Sequence, residues 1–291
     1  MQITVRAPAS TSNLGPGFDI FGLALSLYST FTFEPAEKLE VSGCPEAFQN
    51  EDNLVLQGFR EVFREAGKSP FPVKLHIEAD VPVARGLGSS STCIAAGAAA
   101  ANAFLGNLFS KDELFQICAR FEGHPDNAAP VVFGGFTASF AAAERFHALA
   151  MALHPDWKFA TVIPNYEVRT ADARRAMPAS ISVKESVFTT SHAVAMIEAL
   201  RTGDEALLAE ACQDVLHEPC RRKLIKDYES VRACAAEAKA PAFFISGSGS
   251  TMIALTRSQE AAEKFVELVL ERHPGFAGHV LHAAEDGIVV R

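Results

Sequence analysis

The sequence predicts an α+β protein built in two halves. Its 291 residues are enough for one large or two modest domains with a substantial core. Strand-like alternation and helix-like periodicity occur in both halves, and the composition changes to that of a loop at residues 154–158. We therefore expect an N-terminal domain at residues 1–155 and a C-terminal domain at residues 156–291.

The N-terminal half begins with β-rich residues 2–8. Turn-forming residues follow at 11–19, and a second apolar segment follows at 20–34. Residues 53–67 predict a helix, because their apolar side chains share one helical face and the segment ends on glycine. The alternation at residues 73–79 predicts the next strand.

An alanine-dominated helix is expected at residues 89–106, where small side chains permit close packing. Ser110 and Glu113 have the spacing of a capping box and predict the start of another helix over residues 112–123. Residues 131–140 return to strand character.

The C-terminal half begins with a strand at residues 158–164. Its remaining elements are three long helices and two short strands. These helices are expected at 184–202, 227–239 and 258–272, and the strands at 242–246 and 251–256.

Charge and composition exclude several functional classes. Lys and Arg total 26 against 35 Asp and Glu, which gives a net charge of −9, so the overall field does not attract nucleic acid. The N-terminus lacks the apolar core of a signal peptide, and no segment is apolar enough to span a bilayer. The six cysteines have no CxxC pairing and are expected to be reduced. We expect a cytoplasmic protein without nucleic-acid or membrane partners.

Residues 82–91 (PVARGLGSSS) form the strongest candidate site. They follow a strand and open a helix, so backbone N–H groups at the helix N-terminus can bind an anion. Gly86 and Gly88 allow a phosphate to approach the main chain, and the serines add hydroxyls. The alternative is a plain glycine turn with serine caps. Neither the Walker spacing nor the third glycine of the dinucleotide fingerprint is present.

This segment resembles the ATP loop of the GHMP kinase superfamily, P-x₃-GLGSS. The resemblance implies that Gly86 to Ser90 wrap the triphosphate of ATP and that Ser90 lies near Mg²⁺. Residues 245–251 (ISGSGST) resemble the C-terminal glycine motif of the superfamily, with Ser250 in place of the usual Pro. The nucleotide-binding residues implied in this way are Asn53, Pro82, Arg85, Gly86, Leu87, Gly88, Ser89, Ser90, Gly247 and Ser248.

The acceptor is indicated by residues 7–19 (APASTSNLGPGFD). They resemble the opening motif of the homoserine kinase family, APASxxNxGxGFD, which implies that Asn13 and Asp19 contact the substrate. An Asp carboxylate is a suitable partner for an ammonium group. Without the resemblance, both residues could equally be turn formers.

Residues 122–130 (EGHPDNAAP) resemble the family motif EGHPDNxAP. The resemblance assigns Glu122 to Mg²⁺, a role that a carboxylate can perform with phosphate and water oxygens. It assigns Asp126 and Asn127 to the substrate and the catalytic centre. His124 is a candidate general base, but a His beside Pro in a tight turn more often makes a structural hydrogen bond.

Two stretches in the second half resemble the family's T-x-x-A-R and EPYR motifs. They imply that Thr170, Arg174 and Arg221 bind the substrate, with the arginines on its carboxylate. Cys220 replaces the common Tyr, and Lys226 stands where many members have Pro. Without the resemblance, either arginine could be a solvated surface cation.

The resemblance implies the two-domain GHMP kinase fold, with an N-terminal α+β domain that holds the ATP loop and a ferredoxin-like C-terminal domain. It also implies ATP- and Mg²⁺-dependent phosphorylation of the side-chain hydroxyl of L-homoserine to O-phospho-L-homoserine. A homodimer is one assembly option. The alternatives are a related kinase with another acceptor, such as mevalonate, and a non-catalytic binding protein on the same scaffold.

Overall fold

A computed structural model describes all 291 residues. Its first half is a mostly antiparallel sheet with strand order β11-β1-β2-β4-β3, and β5 and β6 continue it from β2. The strands are β1 (Ile3–Asn13), β2 (Gly17–Pro35), β3 (Glu40–Ser42), β4 (Val73–Ala79), β5 (Phe136–Ala142), β6 (Arg145–Met151) and β11 (Val289–Val290).

Four helices cover this sheet and bury its apolar face. They are α1 (Leu54–Glu65), α2 (Ser89–Phe104), α3 (Lys111–Glu122) and α4 (Ala128–Phe133). Helices α1 and α2 approach each other closely at Gly97. A Cβ at this position would lie 1.8 Å from the carbonyl oxygen of Val55, so only glycine fits there. Ser110 and Glu113 form the predicted capping box at the start of α3.

The second half contains a four-stranded antiparallel sheet in the order β10-β7-β9-β8. This order, with helices after β7 and β9 and a direct connection from β8 to β9, is that of the expected ferredoxin-like domain. Its elements are β7 (Lys158–Ile163), α5 (Thr170–Arg175), α6 (Val183–Thr202), α7 (Glu205–Ala211), α8 (Glu218–Arg221), α9 (Tyr228–Glu237), β8 (Ala242–Ile245), β9 (Met252–Thr256), α10 (Gln259–Arg272) and β10 (Ala277–Leu281).

The halves are joined by a shared apolar core. Leu14 and Phe21 of the first half pack in one buried cluster with Phe159, Met196 and Phe244 of the second. After β10 the chain returns to the first half, where β11 pairs with β1. The last residues therefore complete the N-terminal sheet, although they follow the C-terminal domain in sequence.

One sequence expectation differs from the structure, and some elements of the structure had no prediction. The strand expected from residue 131 is wrong in its first part, because residues 131–133 complete helix α4 and the strand begins at Phe136. A short buried apolar run does not distinguish a strand from a helix. Strand β6 had no prediction. No helix of the protein has the length and hydropathy needed to cross a membrane.

Candidate active site

Three glycine-bearing segments, distant in sequence, meet at one cavity between the two halves. The Ser246 hydroxyl donates to the Gly86 carbonyl at 2.6 Å, and the Gly247 N–H donates to the Ser12 carbonyl at 3.2 Å. The Asn13 side chain donates to the Gly247 carbonyl at 3.0 Å. The cavity beside these contacts has a volume of about 630 Å³.

The glycine loop is held in a conformation that requires glycine. Gly86 and Gly88 have φ of +79° and +67°. A Cβ on Gly88 would lie 1.9 Å from the Ser10 hydroxyl oxygen, and one on Gly86 would lie 2.2 Å from the Ser246 carbonyl oxygen. Gly88 is also the N-cap of α2, so the unpaired N–H groups of the first turn of α2 lie at the cavity wall. This end of the cavity is suited to a phosphate group.

Glu122 lies across from this helix start, at the end of α3. The Ser91 hydroxyl donates a short hydrogen bond to its carboxylate, and Ser90 lies beside it. Burial raises the pKa of the Glu122 carboxyl, and the Ser91 hydrogen bond opposes that shift. No group of three or more acidic, His or Cys side chains could hold a metal alone. One carboxylate and a hydroxyl fit Mg²⁺, which takes its other ligands from phosphate and water.

Asp126 and Asn127 line the same cavity but have different partners. His124 Nδ1 lies 2.8 Å from the Asp126 carboxylate, and this hydrogen bond raises the pKa of His124 above its ordinary value. The Asn127 amide accepts from the Ser10 hydroxyl and donates to the Ser12 hydroxyl, at 2.9 and 3.0 Å. Asn127 therefore fixes β1 beside the glycine loop.

The other end of the cavity carries opposite charges. Arg174 donates to both carboxylate oxygens of Asp19, at 3.1 and 3.2 Å. Arg221 is buried, with 3 % of its surface exposed, and its Nη1 donates to the Gly247 carbonyl at 2.8 Å. Burial lowers the pKa of Arg221, and the nearby Asp19 carboxylate opposes this shift. A zwitterionic ligand could pair its carboxylate with these arginines and its ammonium group with Asp19.

Most predicted site residues lie at this cavity. Its lining includes Asn13, Asp19, Asn53, Arg85, Gly86, Gly88, Ser89, Ser90, Glu122, Asp126, Asn127, Thr170, Arg174, Arg221, Gly247 and Ser248.

Four residues that were predicted to contact the nucleotide either do not line the cavity or also bond to other parts of the protein. Pro82 and Leu87 are not part of the lining, and the Leu87 side chain is buried in the shared core. Asn53 caps α1, with its amide bonded to Val55 and Phe48, and it lines the cavity as well. Arg85 donates to the Pro164 carbonyl at 3.1 Å and thus joins the loop to the second half.

Sequence reasoning missed the neighbours that orient these groups. Ser91, the partner of Glu122, was visible only as the third residue of a serine run. Phe18 places its ring 4.9 Å from the Arg221 guanidinium, and His217 packs beside that ring. Neither contact has a signal in the sequence, because the residues lie in different halves of the chain.

Two family models match the chain. The GHMP kinases N terminal domain covers residues 53–135, and the GHMP kinases C terminal domain covers residues 196–273. A homoserine kinase of Clostridium beijerinckii is 40 % identical over 266 residues, which are 91 % of this chain and 89 % of that protein. The chain belongs to the homoserine kinase family of the GHMP kinases.

Other members of the family agree with this assignment. A homoserine kinase of Caldicellulosiruptor bescii is 37 % identical over 87 % of this chain and 84 % of its own. The crystal structure of a Cytophaga hutchinsonii homoserine kinase superposes with a TM-score of 0.89 at 26 % identity and covers 100 % of this chain and 97 % of that chain. Outside that family, a mevalonate kinase of L. major shares the fold at 15 % identity, with a TM-score of 0.76 over 97 % of this chain and 95 % of that chain.

Proposed function

We propose that this protein transfers the γ-phosphoryl group of ATP to the side-chain hydroxyl of L-homoserine. The observation that carries the proposal is the pairing of a glycine-loop cavity with Asp19, Arg174 and Arg221 at its other end. Homoserine brings an ammonium and a carboxylate, and these side chains offer a partner for each. The product, O-phospho-L-homoserine, would lie on a cytoplasmic route to threonine.

Phosphoryl transfer requires mainly alignment and charge neutralisation. The N–H groups of the glycine loop and the first turn of α2 would bind the phosphates and stabilise charge on the leaving oxygen. Ser90 and Glu122 would hold Mg²⁺, which when bound neutralises phosphate charge. Burial raises the pKa of the Glu122 carboxyl, and a cation bound to the carboxylate would offset this shift.

The acceptor end would hold the hydroxyl in line with the γ-phosphorus. Arg174 and Arg221 would bind the carboxylate, and Asp19 and Asn13 would bind the ammonium group. Arg174 and Asp19 already form an ion pair. When the substrate binds, its carboxylate would pair with Arg174 and its ammonium group with Asp19, so neither side chain would be left without a partner. Asp126 would accept a hydrogen bond from the substrate. No side chain is assigned as a compulsory general base.

The test is release of ADP by the purified protein with Mg²⁺ and ATP across a panel of small alcohols. We expect turnover with L-homoserine and little with mevalonate, which lacks the ammonium group that Asp19 would bind. The Glu122→Gln variant is the control for contaminating ATPase. Equal activity with mevalonate, or none with homoserine, would refute the proposal. Binding of ATP without turnover of any alcohol would indicate a non-catalytic binding protein.

A further inference from the structure

A buried histidine lies behind the acceptor end of the cavity and takes no part in the mechanism above. The His217 side chain is fully buried, and its Nε2 lies 2.9 Å from the Gly15 carbonyl oxygen. A carbonyl can only accept, so Nε2 carries the proton, and Nε2 also lies 3.5 Å from the buried Asp214 carboxylate. Burial lowers the pKa of His217, and Asp214 opposes this shift, so the ring is neutral and Nδ1 has no proton. Nδ1 is buried without a partner. Such a nitrogen costs stability, so burial alone does not explain a histidine here.

The bond to Gly15 fixes the loop that carries Phe18. The imidazole of His217 and the ring of Phe18 stack with centroids 5.5 Å apart at an interplanar angle of 28°. Phe18 also contacts Arg221, whose guanidinium carbon lies 4.9 Å from the ring centroid. Arg221 has one hydrogen bond to the protein through Nη1, and its Nε has none. The direction of the guanidinium therefore depends on the Phe18 ring together with the single bond to the Gly247 carbonyl.

His217 is itself held firmly. It precedes α8, and Arg221 lies one helical turn later, with its N–H bonded to the His217 carbonyl at 2.9 Å. The Asp214 carboxylate accepts from the N–H groups of Leu216, His217 and Glu218 at 3.0, 2.8 and 2.7 Å. One rigid turn thus presents both the imidazole and the guanidinium to the Gly15–Phe18 loop.

We propose that His217 is a positioning residue for the acceptor, which sets the direction of Arg221 by holding Gly15 and Phe18. This role rests on the proposed function, because Arg221 is assigned there to the substrate carboxylate. It requires the Nε2–H donor, and it does not involve the nucleotide. Loss of the donor should therefore act on the acceptor alone.

The test compares His217→Leu, which removes the donor and keeps an apolar side chain, with His217→Gln, whose amide nitrogen reaches a similar place. We expect the KM for homoserine to rise about 10- to 30-fold in His217→Leu, with the KM for ATP and kcat little changed. His217→Gln should recover most of the loss. His279→Leu, at an exposed histidine, is the matched control.

A second readout separates positioning from general damage. Homoserine methyl ester lacks the carboxylate that Arg221 would bind, so its kcat/KM should change less than about 3-fold in His217→Leu. Equal losses for acid and ester, or a fall in kcat for both, would overturn the proposal and leave His217 a structural residue. An unchanged KM for homoserine would also overturn it. A native protein that does not phosphorylate homoserine would refute the proposed function itself, which is a different outcome.

Discussion

The two ends of the cavity are built from different chemical groups. At the phosphate end, three segments are joined by hydrogen bonds to the backbone, from the Ser246 hydroxyl to the Gly86 carbonyl and from the Gly247 N–H to the Ser12 carbonyl. At the acceptor end, the contacts come from the side chains of Asp19, Arg174 and Arg221. The backbone end is rigid because Gly86 and Gly88 pack directly against neighbouring segments.

This difference indicates where specificity resides. Backbone groups recognise phosphate without regard to the acceptor, so the phosphate end can serve any kinase of this fold. Side chains can be replaced without changing the path of the chain. Substitutions at the acceptor end should therefore alter the use of homoserine while nucleotide binding persists. Variants at each end of the cavity test this separation.

Gly88→Ala should damage the phosphate end most. The new Cβ would lie 1.9 Å from the Ser10 hydroxyl oxygen at φ of +67°. The displacement of the loop should lower kcat/KM by about 10²- to 10³-fold, since a shift of about 1 Å can cost about 10²-fold. Gly106→Ala is the matched control, because Gly106 has φ of +79° and no atom within 4 Å. Similar kinetic losses in both variants would show that the cause is the backbone strain of alanine at a positive φ, and not the collision of the new Cβ with Ser10.

Glu122→Gln and Ser90→Ala should each raise the Mg²⁺ concentration needed for activity. Each should lower kcat by about 10²-fold, because each removes a proposed ligand of the ion that neutralises the phosphates. Ser91→Ala, which removes only the hydrogen bond to Glu122, should have a smaller effect of about 10-fold. The measurement is initial rate against Mg²⁺ at saturating ATP. An unchanged Mg²⁺ dependence in the first two variants would place the metal elsewhere.

The two arginines of the acceptor end should differ. Arg221 is 3 % exposed, whereas the Arg174 side chain is 42 % exposed. Removing the buried partner of a carboxylate costs about 2–3 kcal/mol, so Arg221→Ala should lower kcat/KM for homoserine about 30- to 160-fold. Arg174→Ala should lose about 10-fold, because water screens the exposed group. A nearly unchanged KM for ATP in both would support the separation, and a large rise in it would contradict the separation.

The phosphate end was the more predictable of the two from sequence. A glycine loop after a strand and before a helix determines its own local geometry, so Gly86, Gly88, Ser89 and Ser90 line the cavity at the start of α2. The capping box at Ser110 and the C-terminal strands were likewise local signals. At the acceptor end, the resemblance named the charged residues, but their pairing could not be read from the sequence. Asp19 and Arg174 are 155 positions apart, and their contact depends on how the halves pack.

Local signals also explain the errors. Residues 131–133 are apolar, Val131 and Val132 are buried in a helix, and the composition of the three equally favours a strand. Strand β11 consists of two residues and is defined only by its pairing with β1. Leu87 is part of the glycine motif, yet its side chain lies in the shared core, because the loop must also be anchored to the protein.

His124→Ala should have the smallest effect on catalysis. His124 Nδ1 is bonded to the Asp126 carboxylate, and no general base is required by the proposed mechanism. Activity should remain within about 10-fold of native, whereas loss of a general base would cost about 10²- to 10⁴-fold. The measurement is kcat together with the Kd for ATP and the far-UV circular dichroism of the variant. If kcat fell by about 10²- to 10⁴-fold in a folded variant with unchanged ATP affinity, His124 would be identified as the general base.

The same variant should reveal the ion pair through its stability. The hydrogen bond to Asp126 raises the pKa of His124 in the folded protein above its ordinary 6.5. A raised folded-state pKa gives stability that is fully present below the unfolded-state pKa and is lost as the pH rises through the folded-state pKa. The free energy of unfolding of native protein should therefore exceed that of His124→Ala most at about pH 6. The difference should shrink toward about pH 9, because the imidazole is then neutral in both states. Urea unfolding of both proteins across this range measures it, with His279→Ala as an exposed control. A difference that does not depend on pH would show that His124 contributes by packing and not by its charge.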